Sequence, residues 1–149
     1  MKKLLAAAAA LLVSGVAVAQ SAATPVGLWK SIDDKAKVEK SLVRITVNGG
    51  VLSGKIEKIL DPAAKPDAVC EECPGDLKGK PFVGLPIITG AKKNPEQPNQ
   101  WDGGTVLDPV NGKTYKLRLK PSDDNKKLDV RGYIGTPMIG RSQVWVRVE

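Results

Sequence analysis

The stretch LVRITVNGGVLSGKIEKI, residues 42–59, decides the fold of this chain. Apolar and polar residues alternate on both sides of a glycine-containing turn, which is the pattern of an antiparallel hairpin. We place the turn at Asn48-Gly49, because this dipeptide suits a type I′ turn with two positive φ angles. The resulting register sets Ile45 opposite Leu52 and gathers the apolar residues on one face. That face consists of Val43, Ile45, Val47, Leu52 and Ile56.

A second hairpin is predicted by the runs YKLRLK and LDVR, which flank a turn rich in Pro, Ser, Asp and Asn. Four further short apolar segments complete a set of eight predicted strands. Pro86 indicates that the strand around it is an edge, a bulge or two short pieces. The predicted strands are residues 26–30, 42–47, 50–59, 82–88, 101–107, 115–120, 128–131 and 140–148.

Eight short strands without an amphipathic helix predict an all-β fold, either a small closed antiparallel barrel or a sandwich. Eight is also the strand number at which a barrel just holds one small ligand inside. Residues 61–81 and 91–100 are rich in proline and polar residues, so we expect them to be loops. A loop as long as the first of these is uncommon in a compact domain and is often functional.

Residues 1–19 have the pattern of a signal peptide. Lys2 and Lys3 precede an almost wholly apolar run that ends in Ala17-Val18-Ala19, a small-x-small cleavage site. This run is shorter than the ~20 residues that a membrane-spanning helix needs. We therefore expect residues 20–149 to form a single exported domain, secreted or periplasmic.

The formal net charge is +7, which points towards anionic partners such as lipid headgroups, cell-wall polymers or acidic ligands. Nucleic acid is not an expected partner outside the cytoplasm, which leaves anionic components of the cell envelope. The alternative is an ordinary solvated lysine surface, and the even spread of the lysines along the chain favours it.

Cys70 and Cys73 are the only cysteines of the chain. In an oxidising compartment they are expected to form a structural disulfide that contributes about 2 kcal/mol by closing a small ring. A redox pair would need a lowered thiol pKa, and the intervening Glu71 and Glu72 act against it. A zinc site would need two further ligands in a chain without histidine, so we expect no metal and no cofactor.

The absence of histidine excludes a Ser-His-Asp triad, a Cys-His pair and a histidine-ligated metal. No glycine-rich phosphate loop follows a strand. Paired carboxylates are the remaining route to acid–base chemistry, although most of them stand where aspartate commonly serves a turn. We therefore predict that the protein is not an enzyme. The candidate carboxylates are Asp33, Asp34, Asp102, Asp108, Asp123 and Asp124.

Gly27-Leu28-Trp29 resembles the G-x-W opening of lipocalin-type barrels. In that superfamily the tryptophan closes one barrel end and an arginine from a late strand packs on it, a role for which Arg141 and Arg147 are available. A longer series of motifs is similar to the bacterial secreted family known as domain of unknown function 2147. The resemblance implies an exported lipocalin-like (calycin-type) barrel without an agreed activity. The motifs are residues 27–29, 70–75, 101–109, 111–115, 128–135 and 140–145.

Aromatic and arginine residues near the predicted barrel ends are the candidates for ligand binding. Arg131, Tyr133 and Arg141 flank a turn, where arginine can hold the carboxylate or phosphate head of an amphipathic ligand. The alternative is that the arginine stems cover apolar surface and the guanidinium groups pair with nearby aspartates. The tryptophans are either packing residues or ligand platforms. The candidates are Trp29, Trp101, Tyr115, Arg131, Tyr133, Arg141 and Trp145.

The last predicted strand has two candidate inner faces. Val144, Val146 and Val148 share one face, and Trp145 lies on the other with Gln143 and two arginines. Only one of them can point into the barrel, and the sequence leaves the choice open.

Three functions fit these features. The first is a binding protein that carries a small apolar or amphipathic molecule in its barrel. The second is an envelope interaction module with a filled barrel and a basic surface. The third is a carboxylate-based hydrolase.

Overall fold

In the computed structural model, which describes residues 22–149, eight antiparallel strands form a closed barrel. Each strand pairs with the next along the chain, and β8 pairs back with β1. A short 3-10 turn at Gly75–Leu77 is the one helical element of this part of the chain. The strands are β1 Gly27–Ile32, β2 Glu39–Asn48, β3 Val51–Ile59, β4 Pro86–Lys93, β5 Trp101–Leu107, β6 Thr114–Pro121, β7 Lys127–Tyr133 and β8 Gly140–Arg147.

The closed barrel confirms the antiparallel barrel and excludes the sandwich. The predicted leader, residues 1–19, lies outside the described residues. None of the helical segments in residues 22–149 has the length and apolar character required to cross a membrane.

The β2–β3 hairpin confirms the predicted inner face but corrects the register. Val47 pairs with Leu52, so the turn is Gly49-Gly50, whose φ angles are 57° and 78°. Two glycines adopt two positive φ angles at less cost than asparagine followed by glycine. Because side chains alternate with a period of two, a shift of two residues leaves the same residues inside. Val47 is the exception, since it lies at the hairpin end and is 51% exposed.

The fourth strand lies further along the chain than its predicted position, 82–88. Gly84 has a φ of 90° and ends the preceding segment, and Pro86 stands at the start of β4, where its missing N–H is tolerated. The strand then continues to Lys93, into the segment predicted as a loop. Gly90, with a φ of 83°, lies at the register shift between β3 and β4, which interrupts the alternating pattern.

The inner face of β8 is the one that carries Trp145. This residue is 4% exposed and pairs with Leu128, whereas Val144 and Val146 are 49% and 39% exposed. The valines therefore face solvent, where their branched side chains still favour an extended backbone.

One half of the barrel is filled by side chains. The residues that pack there come from seven of the strands and are almost completely buried. This filled half includes the end at which β1 begins and β8 finishes, which we call the closed end. Its main residues are Trp29, Val43, Ile45, Leu52, Ile88, Trp101, Leu117, Leu119 and Leu128.

Arg147 seals the closed end. Its guanidinium carbon lies 4.1 Å from the centre of the Trp29 ring, and the indole Nε1 donates a 2.7 Å hydrogen bond to the Pro25 carbonyl. The guanidinium also donates to the carbonyl oxygens of Thr24 at 2.6 Å and Asn125 at 2.6 Å. One cation thus joins the N-terminal segment, the β6–β7 loop and the last strand.

Gly27 makes this arrangement sterically feasible. A Cβ atom there would overlap the Arg147 guanidinium and would lie 2.5 Å from the Glu149 carbonyl oxygen, and the glycine φ of 141° also excludes most side chains. The two fixed residues of the G-x-W pattern therefore have distinct roles. Gly27 leaves space for the Arg147 guanidinium, and the Trp29 ring packs against it.

Arg147→Lys is expected to lower the free energy of unfolding by about 3 kcal/mol, because an ammonium group cannot reproduce the fork of hydrogen bonds or the stacking on Trp29. Urea denaturation measures the change.

Arg44→Lys is the matched control. Arg44 lies on the barrel surface, where it pairs with Glu57 and Glu149, and its replacement should have a much smaller effect. Equal losses of stability in the two variants would contradict the assigned role of Arg147.

Candidate functional site

The other half of the barrel contains a cavity of about 610 Å³. It opens between the loops that follow β1, β3, β5 and β7, and we call this the open end. The volume lies within the range of about 300–1,000 Å³ that is typical of small-molecule sites. Most of the inner wall is apolar. It is formed by Ile56, Ile87, Leu107, Val130 and Trp145.

Two uncharged polar groups interrupt this wall. Ser31 and Ser41, on neighbouring strands, are buried and their hydroxyl oxygens lie 2.8 Å apart. Gln143 lies on β8, and its Oε1 accepts a 3.0 Å hydrogen bond from Nε1 of Trp145. A ligand in the cavity therefore meets hydroxyl and amide groups as well as hydrocarbon.

The rim next to these groups carries a cluster of paired charges. Arg141 donates from Nε to Asp34 at 2.6 Å and from Nη2 to Asp33 at 3.2 Å. A hydrogen bond from the Arg141 guanidinium lowers the pKa of Asp34, and the backbone N–H of Ala36 is the largest cause of the lowered pKa of Asp33. Both carboxyl groups therefore stay ionised at neutral pH, which does not suit a proton donor.

A second ion pair closes another part of the rim. Lys40, which borders the cavity, donates to Asp61 at the start of the long β3–β4 loop. This hydrogen bond is the main cause of the lowered pKa of Asp61. The pair holds the first residues of that loop against β2.

Four of the predicted ligand-binding residues border the cavity, and three do not. Trp29 and Trp101 belong to the closed half, where Lys93 Nζ lies 5.6 Å from the ring of Trp101. Arg131 donates to the Pro137 carbonyl at 2.6 Å and therefore supports the β7–β8 loop. The role of each candidate in ligand binding stays a prediction. The bordering residues are Tyr115, Tyr133, Arg141 and Trp145.

Sequence patterns did not point to Ser31 or Ser41 as residues of a site. A serine at an inward position looks like an interruption of the apolar alternation unless the barrel is known to be hollow there. The position of Gln143 could be inferred from the sequence, because it lies two residues before Trp145 and therefore shares a strand face with it.

Cys70 and Cys73 form the predicted disulfide, and both are nearly inaccessible at 0% and 3% exposure. The surrounding loop folds back on itself, since Cys70 exchanges backbone hydrogen bonds with Lys80 and Gly79. Cys70 Sγ lies 3.3 Å from the Pro109 carbonyl oxygen, which places the disulfide against the β5–β6 loop. Pro109 also borders the cavity, so the disulfide supports part of its rim.

Three of the remaining candidate carboxylates, Asp102, Asp108 and Asp124, serve local structure. Asp102 accepts from the side-chain amides of Asn94 at 2.9 Å and Gln100 at 2.8 Å. Asp108 accepts from the backbone N–H of Val110 at 2.9 Å, as expected in a turn. Within residues 22–149 no group of three or more cysteine, aspartate or glutamate side chains is arranged to hold a metal ion.

The family model described as "Uncharacterized protein conserved in bacteria (DUF2147)" matches residues 27–147. Among solved structures, a similar one is protein HP1028 from Helicobacter pylori, described as belonging to the lipocalin family. It has a TM-score of 0.70 and 18% identity over 85% of this chain and 84% of that chain. A search of curated proteins found no match. The structural likeness confirms the lipocalin-like barrel.

Replacing both cysteines with serine is expected to lower the free energy of unfolding by about 2 kcal/mol. Backbone amides of residues 61–81 should exchange faster with solvent, while those of the strands keep their protection. Hydrogen exchange with mass spectrometry resolves the two regions. Unchanged exchange in the long loop would show that its backbone contacts hold it without the disulfide.

Proposed function

The chain belongs to the DUF2147 family of uncharacterized bacterial proteins, and on that premise we propose that it binds a small apolar or amphipathic molecule in its barrel. The observation that carries the proposal is the cavity of about 610 Å³ in a barrel whose other half is tightly filled. A barrel filled along its whole length would have no room for a ligand. Binding rather than catalysis is part of the proposal.

The location of the cavity supports this function. The cavity opens at the open end of an eight-stranded barrel, and eight strands are just enough to hold one small ligand. Its apolar wall favours hydrocarbon, because the burial of apolar surface away from water is the main driving force for such binding. The lipocalin-like fold is consistent with this role.

We further propose that the protein acts outside the cytoplasm after removal of residues 1–19. The Cys70–Cys73 disulfide supports this location, because such bonds persist in oxidising compartments.

Val130→Phe tests the binding role, because Val130 borders the cavity and a phenyl ring there would occupy ligand space. The neutral fluorophore N-phenyl-1-naphthylamine is expected to bind the unmodified protein. It should bind this variant at least about tenfold more weakly, because the loss corresponds to the apolar contact of roughly one to two methylene groups. Fluorescence titration measures both affinities, and native mass spectrometry of the exported protein shows any bound molecule.

Val144→Phe is the matched control, since Val144 is on the outer face of β8. It should leave the affinity unchanged, and urea denaturation checks that both variants are folded. No fluorophore binding by the unmodified protein, together with a native mass equal to the denatured mass, would contradict the proposal.

A second candidate function, docking to anionic envelope components, is favoured by a pair of arginines on the outer wall. Arg118 and Arg131 lie directly opposite each other on β6 and β7, although like charges in such positions repel. The buried Nε of Arg118 has no hydrogen-bond partner among residues 22–149. Lys116 and Lys120 share its strand face, so the cluster presents several donors to an anion.

Arg118→Gln is therefore expected to weaken binding to vesicles that contain phosphatidylglycerol, and the difference should disappear at high ionic strength. Arg44→Gln removes the same charge from a surface arginine that is already paired, and it serves as the control in the same co-sedimentation assay. Equal binding by the two variants would remove this candidate.

A further inference from the structure

From the groups that border the cavity we infer its ligand class, and this inference rests on the proposed binding role. The cavity selects an uncharged amphipathic molecule whose head carries a hydrogen-bond acceptor, such as an amide or an alcohol. Gln143 is the residue that recognises this head. Carboxylates, phosphates and amines of the same chain length are rejected.

The orientation of the Gln143 amide follows from the chemistry of its neighbour. An indole N–H can only donate, so the Gln143 atom that lies 3.0 Å from Trp145 Nε1 is the carbonyl oxygen. The NH₂ group is consequently the free end of the side chain, and it has no partner within residues 22–149. Gln143 borders the cavity, so the site offers a ligand two donors and needs an acceptor in return.

The serine pair adds polarity without charge. Ser31 Oγ accepts from the Ser41 backbone N–H at 3.1 Å and lies 2.8 Å from Ser41 Oγ. A hydroxyl can rotate, so the pair is able to donate to or accept from a ligand. Such a group accommodates an alcohol as readily as a carbonyl.

Among residues 22–149, both cations that border the cavity are already paired with carboxylates. Arg141 is shared between Asp33 and Asp34, and Lys40 is paired with Asp61. Together these two ion-paired clusters contain three carboxylates and two cations, so their net charge is negative. A carboxylate entering the site would lose its hydration and face this excess, which is unfavourable.

A cationic head is also poorly served, because the carboxylates near the cavity, Asp33, Asp34 and Asp108, already accept hydrogen bonds. Asp34 is bound by Arg141, and Asp33 accepts from Arg141 and from the backbone N–H groups of Lys35 and Ala36. An amine would have to compete with these existing bonds while losing its own hydration. An uncharged head avoids both costs.

Four ligands with the same ten-carbon chain test the inference: decanamide, decanol, decanoate and decylamine. Displacement of N-phenyl-1-naphthylamine at neutral pH measures their affinities. Decanamide and decanol are expected to bind at least about tenfold more tightly than the two charged compounds, since a buried unpaired charge costs more than a paired dipole.

Gln143→Met removes the amide at nearly constant length and is expected to weaken decanamide binding about five- to tenfold, the value of one neutral hydrogen bond. Gln97→Met, a change at an exposed position in the β4–β5 loop, is the matched control. Gln143→Glu, which keeps an acceptor for Trp145 but loses the donors, should lose decanamide affinity and gain decylamine affinity.

The outcomes separate the inference from the proposed function. Tightest binding by decanoate or by decylamine would overturn the uncharged ligand class and leave the binding role standing. Unchanged decanamide affinity in both Gln143 variants, with urea midpoints showing that they are folded, would overturn the role of Gln143. Failure of the fluorophore and of all four compounds to bind the unmodified protein would overturn the proposed function and this inference with it.

Discussion

The packing of Arg147 on Trp29 is the interaction on which the rest of the barrel depends. Closing a barrel requires the first and last strands to pair, and here that seam is short, with only Trp29↔Arg147 and Lys30↔Val146 in register. The guanidinium compensates by bonding to the carbonyls of Thr24, Val26 and Asn125, which adds contacts on both sides of the seam. A half-buried guanidinium is stable there because its donors have acceptors and its face lies on an aromatic ring.

Sealing one end in this way determines what the other end can be. Large side chains fill the closed half, and the strands continue beyond them with smaller or polar inward residues such as Ser31, Ser41 and Gly132. The cavity exists because these residues leave space that the loops border but do not fill. The Cys70–Cys73 disulfide, which packs in the hydrophobic core cluster, holds the longest loop against the β5–β6 loop.

Much of the fold could be predicted because strand alternation is a local property. The inner face of the β2–β3 hairpin was predicted correctly although its turn was misplaced, since a slip of two residues preserves the faces. The shift of β4 was not predictable in the same way, because Gly84 and Gly90 break the extended backbone at points that no alternation marks. The inner face of β8 stayed open because valine favours strands on either face.

The candidate site was less predictable, because its chemistry depends on which charged side chains form ion pairs in the folded structure. Arg131 and Arg141 flank the same turn, yet Arg141 is held by two carboxylates at the rim and Arg131 supports a loop from outside. The formal charge of +7 is likewise no guide to the cavity, whose bordering ion pairs have an excess of carboxylates. Arg118, whose buried Nε has no hydrogen-bond partner within residues 22–149, lies on the outer wall. Attraction to an anionic surface and recognition of an uncharged ligand can therefore occur on one small barrel without competing for the same residues.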